Sequence, residues 1–413
     1  MNDPTGVAPT PGVMRNLVMV CIGLTSVFVA QTMLLLAVPL RALELGASPS
    51  LVGVILSAPY LLPLVFAIPL GGIVTRVGAQ RVFFISAIGM MIGPWISLAT
   101  PTFTGLLSTQ IIIGLAHVVM VIAAQSVVAG LGRGRALERY FGWYTMCLSG
   151  GQLIGPLLAG RMIDTLTMDW VFAVIGAIPA IALVSSYYFI GNARRGHSTP
   201  SSLLGYRAQA SLLKKNVGVQ MSIVVTVAAL FALGAHAAFL PVYLETLTFS
   251  ATLIGLLVSL RALSAMVVRP FMSRIIQGLG GRSKALIACV AAVAMGMRWT
   301  GMTNNVITLA VLAVLVGLGT GISQPLSMVI LAEHVQPEQR SSALGMRLMG
   351  NRGAQVVAPL LLGLLAELAG YKLTFLIAGA GLLMVTVVVV RLKPAFEMAE
   401  AKNQASQLAS FRP

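Results

Sequence analysis

"GGQLIGPLLAG" runs from Gly150 to Gly160 inside a stretch apolar enough to lie in lipid. Glycine and proline weaken helices in water, so their concentration here needs a reason. A second copy of the pattern, "GAQVVAPLLLG", runs from Gly353 to Gly363, displaced by 203 positions. At that offset Gly142, Met146, Gly150, Gln152, Pro156, Leu157, Leu158 and Gly160 meet Gly345, Met349, Gly353, Gln355, Pro359, Leu360, Leu361 and Gly363. At an offset of 202, "LVGVILS" from Leu51 meets "LIGLLVS" from Leu253, and Pro39 meets Pro241. Leucine matches are cheap in apolar sequence, but coincident Gly, Gln and Pro are not. The chain is a tandem duplication. Small residues four apart let helix backbones approach closely in lipid. A proline there bends the helix at a cost that neighbouring helices absorb.

Composition fixes the solvent. Hydrophobic residues make up 57% of the chain and charged ones 9%, against about 25% charge in a soluble domain. Such a chain cannot cover itself with a wetted surface and is read as an integral membrane protein. Strand-like alternation is absent, which argues against a membrane β-barrel. Apolar runs long enough for a bilayer predict an all-α chain of twelve transmembrane helices. The first six fall near 17–39, 50–73, 82–99, 105–130, 140–163 and 170–191. The second six fall near 218–241, 251–276, 283–301, 305–332, 341–366 and 372–391. The expected organisation is a six-helix bundle over 1–191, a basic linker over 192–217, a second bundle over 218–391 and a tail over 392–413.

A formal net charge of +16 raises nucleic acid as a partner. The basic residues, however, sit in short gaps between apolar runs, without interleaved aromatics or a binding motif. No nucleic-acid partner is expected. Arg76 and Arg81, then Arg133, Arg135 and Arg139, then Arg194, Arg195, Arg207, Lys214 and Lys215 occupy alternate gaps, as do Arg274, Arg282, Lys284 and Arg340. That bias predicts cytoplasmic basic loops and cytoplasmic termini, in a cell's inner membrane. The first apolar run is too long for a signal-peptide core and reads as an uncleaved helix. Cys21, Cys147 and Cys289 are scattered, so neither disulfide nor metal site is expected. "GLGTG", Gly317 to Gly321, lacks the Lys-Ser/Thr of a phosphate loop and reads as helix packing. No nucleophile–base set appears. The sequence predicts neither an enzyme nor a cofactor.

Two stretches carry a resemblance. In "GGIVTRVGAQR", Gly71, Arg76, Gly78 and Arg81 fit the loop after the second helix of the major facilitator superfamily, with Thr75 where that family carries an acid. Gly151, Gly155, Pro156, Ala159 and Gly160 look like the fifth-helix motif of its drug-exporting members. The family's fourth-helix arginine is replaced by Gln110, four residues before Gly114. The resemblance covers the whole chain. It implies the major facilitator fold and a monomeric secondary transporter whose halves rock about a midplane site. Proton-coupled efflux of small organic compounds, anionic or amphipathic ones among them, is the function implied. Uptake of an organic anion or metabolite is the alternative, and a membrane-embedded enzyme or receptor a remote third. Gly151, Gly155, Pro156 and Gly160 would then form a hinge. Gly71 and Gly78 would shape the gating loop, with Arg76 and Arg81 anchored to lipid phosphates.

Polar groups at membrane depth are costly and mark function. Arg261 and Arg352 should lie near the midplane, while Glu44, Asp164, Glu245 and Glu367 all fall towards the helix ends. Unpaired arginines suit an anionic substrate; alternatively they bond Asn351, Gln355 and backbone carbonyls. The expected substrate contacts are Gln31, Gln125, His236, Arg261, Asn351 and Arg352. His117 and His236 are the candidates for carrying protons.

Overall fold

The computed structural model describes residues 11–132, 134–188, 213–336 and 339–410, and among these every regular element is helical. Lipid offers backbone groups no partner, so each segment must satisfy its own hydrogen bonds. The first half comprises α1 (Pro11–Glu44), α2 (Pro49–Val77), α3 (Ala79–Ala99), α4 (Phe103–Ala129), α5 (Gly134–Thr165) and α6 (Met168–Tyr188). The second comprises α7 (Val217–Thr246), α8 (Ala251–Gly278), α9 (Arg282–Thr300), α10 (Val306–Glu333), α11 (340–369) and α12 (371–410). Helix runs from 340 to 410 except at Gly370, whose φ of 75° lies where only glycine is comfortable. Gly78, at φ 96°, makes the turn between α2 and α3 in the same way. Several helices run beyond the sequence reading: α1 starts at Pro11 rather than near 17, α5 at Gly134 rather than near 140, and α12 continues past Arg391. That continuation buries Phe396 and places Glu400 on Arg282 and Glu397 on Ser283. The linker at 192–217 lies almost wholly outside the described residues.

The duplication is physical. At the end opposite the arginine-rich loops, here the far end, Ser48 caps α2 by accepting from the Leu51 N–H. Ser250 caps α8 by accepting from Leu253, and the two serines stand 202 positions apart. Thr102 and Asn305 cap α4 and α10 likewise. Such caps satisfy amides that the first helical turn leaves free.

The halves meet chiefly through α5 on α8, α2 on α11 and α1 on α7. The quoted motifs make these contacts. A Cβ at Gly255 would run into the carbonyl of Pro156, and one at Gly160 into that of Ala251. In the equivalent pair, a Cβ at Gly53 would strike the Pro359 carbonyl and one at Gly363 that of Pro49. An acid completes each crossing. Asp164 accepts from the Ala251 and Thr252 N–H groups at 2.9 and 2.8 Å, and Glu367 accepts from Ser50 N–H at 3.0 Å. Asp164 and Glu367 are themselves 203 positions apart. The second crossing has one bond fewer because Pro49, the counterpart of Ala251, has no N–H.

The asymmetry yields an expected result. With spin labels at the exposed Trp170 and Thr246, Asp164→Ala should widen the far-end distance distribution and enrich its open component roughly two- to fivefold, the scale of a carboxylate at a helix N-terminus. Glu367→Ala should do less. Double electron–electron resonance reads both; an absent response would remove the caps from the closure, and an equal one would remove the asymmetry.

Candidate functional site

Between the halves lies a cavity of about 240 Å³. Its first-half wall is Phe28, Gln31, Thr32, Leu35 and Leu36 of α1, Tyr60 of α2, His117 of α4, and Ser149, Gln152 and Pro156 of α5. Its second-half wall includes Arg261 and Arg269 of α8, Thr320 and Gln324 of α10, and Arg352 and Gln355 of α11. The crossings above close it at the far end. Towards the arginine-bearing end, α4 and α10 make no comparable contact across the halves among the described residues.

The glycine motif divides its work. Gly151 and Gly155 seat α1 within the first half, against Phe28, Val29 and Thr32, and Thr32 Oγ1 donates to the Gly151 carbonyl at 3.0 Å. Pro156 and Gly160 face α8 in the other half. Ser259 Oγ adds a bond across the halves to the Leu153 carbonyl at 2.7 Å, and Arg269 Nη1 donates to Ser149 Oγ at 3.1 Å. One face of the helix is thus fixed to its own bundle and the other is a contact between bundles. "GLGTG" packs as expected: Gly317 and Gly321 lie on α8, and Gly319 on α9.

Of the expected substrate contacts, Gln31, Arg261 and Arg352 line the cavity, as does His117. His117 packs edge-on against Phe28, with ring centroids 4.7 Å apart, and its Nε2 is buried without a partner. Three of the expected contacts lie off the cavity. Gln125 is exposed on α4 beyond the cavity, because the helix runs on past the cavity towards the arginine-bearing end. His236 is 1% exposed and does not line the cavity, while its neighbours Leu233, Gly234 and Ala237 do. Asn351 likewise does not line it, since adjacent helix positions point about 100° apart. Arg76 and Arg81 are exposed at the arginine-bearing end; the surroundings of Gly71 and Thr75 fall outside the described residues.

The sequence reading also missed residues. Gln152 and Gln355 both line the cavity, and their coincidence at the repeat offset was a usable signal, since packing alone asks only for small residues there. Tyr60, Gln324 and Ser149 carry no such mark. Arg269 also lines the cavity. Arg347 is buried in a network with Thr226, Gln324 and Ser327. Among the cavity's lining residues there is no Asp or Glu.

Two helical bundles related by duplication and parting around a polar cavity at membrane depth define a multi-pass membrane transporter rather than an enzyme. The chain belongs to the Major Facilitator Superfamily, whose model matches residues 20–297 and 222–413. It is 22% identical over 299 residues to the class C tetracycline resistance protein of Escherichia coli, covering 71% of this chain and 74% of that one. It is 26% identical over 184 residues to the putative multidrug resistance protein MdtD of Yersinia enterocolitica, covering 43% of this chain and 39% of MdtD. In fold it matches the crystal structure of a bacterial homologue of the human lysosomal transporter Spinster, inward-facing and unoccupied. That match has a TM-score of 0.76 at 13% identity and covers 95% of this chain and 99% of that one.

Proposed function

We propose that this chain exports small organic compounds, anionic or amphipathic ones among them, by alternating access driven by proton entry. The observation that carries the reading is the central cavity, held between repeat-related halves and closed at one end by matched glycine–proline crossings. A site so placed is exposed to one side and then the other as the halves rock. The charge bias of the loops supports a cytoplasmic arginine-bearing end and cytoplasmic termini in the inner membrane, and in that orientation the cavity described here faces inward. Pro156 and Gly160 form the pivot contact, while Gly151 and Gly155 hold α5 to its own bundle. His117 is assigned the proton, being a histidine that lines the cavity and carries an unpartnered nitrogen. One chain encloses the whole site, and a monomer suffices. The direction follows the resistance proteins to which the chain is similar.

Everted membrane vesicles test it. Salicylate and ethidium are supplied outside vesicles carrying the chain, with vesicles lacking it as control. Energised accumulation of either compound, lost when the pH gradient is dissipated, is the expected result. Accumulation in right-side-out vesicles alone would instead establish uptake, and no gradient-dependent flux in either orientation would remove the pump.

A further inference from the structure

Arginine carries hydrogen-bond donors and no acceptor. A glutamine beside an arginine must therefore turn its amide oxygen towards it and its amide nitrogen away. Two cavity glutamines are held in this way. Arg347, 6% exposed, donates from Nη2 to Gln324 Oε1 at 3.2 Å and to the Gln324 carbonyl at 3.1 Å. Its position is fixed by Thr226 and Ser327. Arg352 Nη1 donates to Gln355 Oε1 at 3.1 Å. What remains for the cavity is N–H. Gln324 Nε2 and Arg261 Nε are both buried without a partner, and no carboxylate lines the space. Across the cavity, Phe28, Leu35 and Leu36 supply an apolar face.

We propose that the second-half wall of this cavity is a receptor for a compact, acceptor-rich anionic group, a carboxylate, sulfonate or phosphonate, carried on an apolar body. Gln324 is its specificity-determining residue, and Arg347 is a positioning residue that acts through Gln324. The group accepts from Gln324 Nε2, Gln355, Arg261 and Arg352, while the body rests on the first half. Leaving buried donors unsatisfied is costly, which makes this wall selective against cations and neutral hydrocarbons alike. The inference rests on the transport reading for its biological sense but is measured separately from it.

Binding of salicylate, benzenesulfonate and phenylphosphonate to the purified full chain tests it, with tetraphenylphosphonium as the contrasting cation. At least one of the three anions should bind more tightly than the cation. Gln324→Leu and Gln355→Leu should each weaken that anion about tenfold, leave the cation unchanged or strengthened, and keep the unliganded Tm. Arg347→Met should mimic Gln324→Leu, and the double variant should lose no more than either single one, because the two act as a unit. Tighter binding of the cation than of every anion overturns the proposal. So does an equal loss for anion and cation in the variants. Additive losses at 324 and 347 overturn the positioning role. Anion binding with these losses but no vesicle flux would remove the transport reading and leave the receptor; cation flux without anion binding would do the reverse.

Discussion

Gly255→Leu should cost the transporter most of its flux while leaving it inserted and folded. The residue sits where α8 crosses α5, and even one added carbon would meet the Pro156 carbonyl. Backbone cannot yield as a flexible side chain does, so the helices must move apart at the far end. Overpacking of this kind costs about 1–3 kcal/mol. That is a roughly five- to hundredfold shift away from the far-end-closed arrangement. A carrier that cannot close one side cannot alternate. Gly53→Leu, at the equivalent crossing against Pro359, should behave alike. Gly142→Leu is the control, because a Cβ there meets nothing within 4 Å. Vesicle flux, with far-end distances from labels at Trp170 and Thr246, reads the difference. Normal flux and unchanged distances in Gly255→Leu would take the crossing out of the mechanism.

The same positions show how far the amino-acid sequence alone reaches. Gly160, Gly363, Pro156 and Pro359 announce themselves, because close backbone approach admits few residue types and the duplication repeats them. The partners they press against, Ala251 and Pro49, are unremarkable in sequence; only the fold brings them opposite. Asp164 and Glu367 were legible as acids near helix ends, and their common offset was there to be read. That each caps a helix of the other half was not, since a cap across an interface leaves no local pattern. Within the site, Arg261 and Arg352 stood out because charge at membrane depth is rare. The residues of α7 could not be sorted the same way: which of Leu233, Gly234, His236 and Ala237 faces the cavity depends on the rotation of that helix, and hydropathy does not fix rotation in a helix apolar on every side. Gln324 was hidden for a further reason, as its meaning depends on Arg347 in another helix.

Arg352→Ala should separate affinity from stability, moving them in opposite directions. The guanidinium lines the cavity with a bond to the Gln355 amide oxygen and with no acid among its fellow lining residues. A centred arginine costs about 2.5–3.5 kcal/mol on insertion scales, and a hydrogen bond to a neutral amide offsets only part of that. Removing it should leave the unliganded Tm unchanged or raised, as expected where a site is held at the expense of stability. A hydrogen bond involving a charged group contributes about 1.5–3 kcal/mol, so binding of the favoured anion should weaken about ten- to hundredfold. Arg352→Lys keeps the charge but not the planar fork, and a lysine cannot hold Gln355 while also gripping an anion in bidentate fashion. Its affinity should fall between the two. An arginine kept for structure would give the reverse pattern, a lowered Tm with affinity intact, and thermal unfolding with and without the anion distinguishes the two in one experiment.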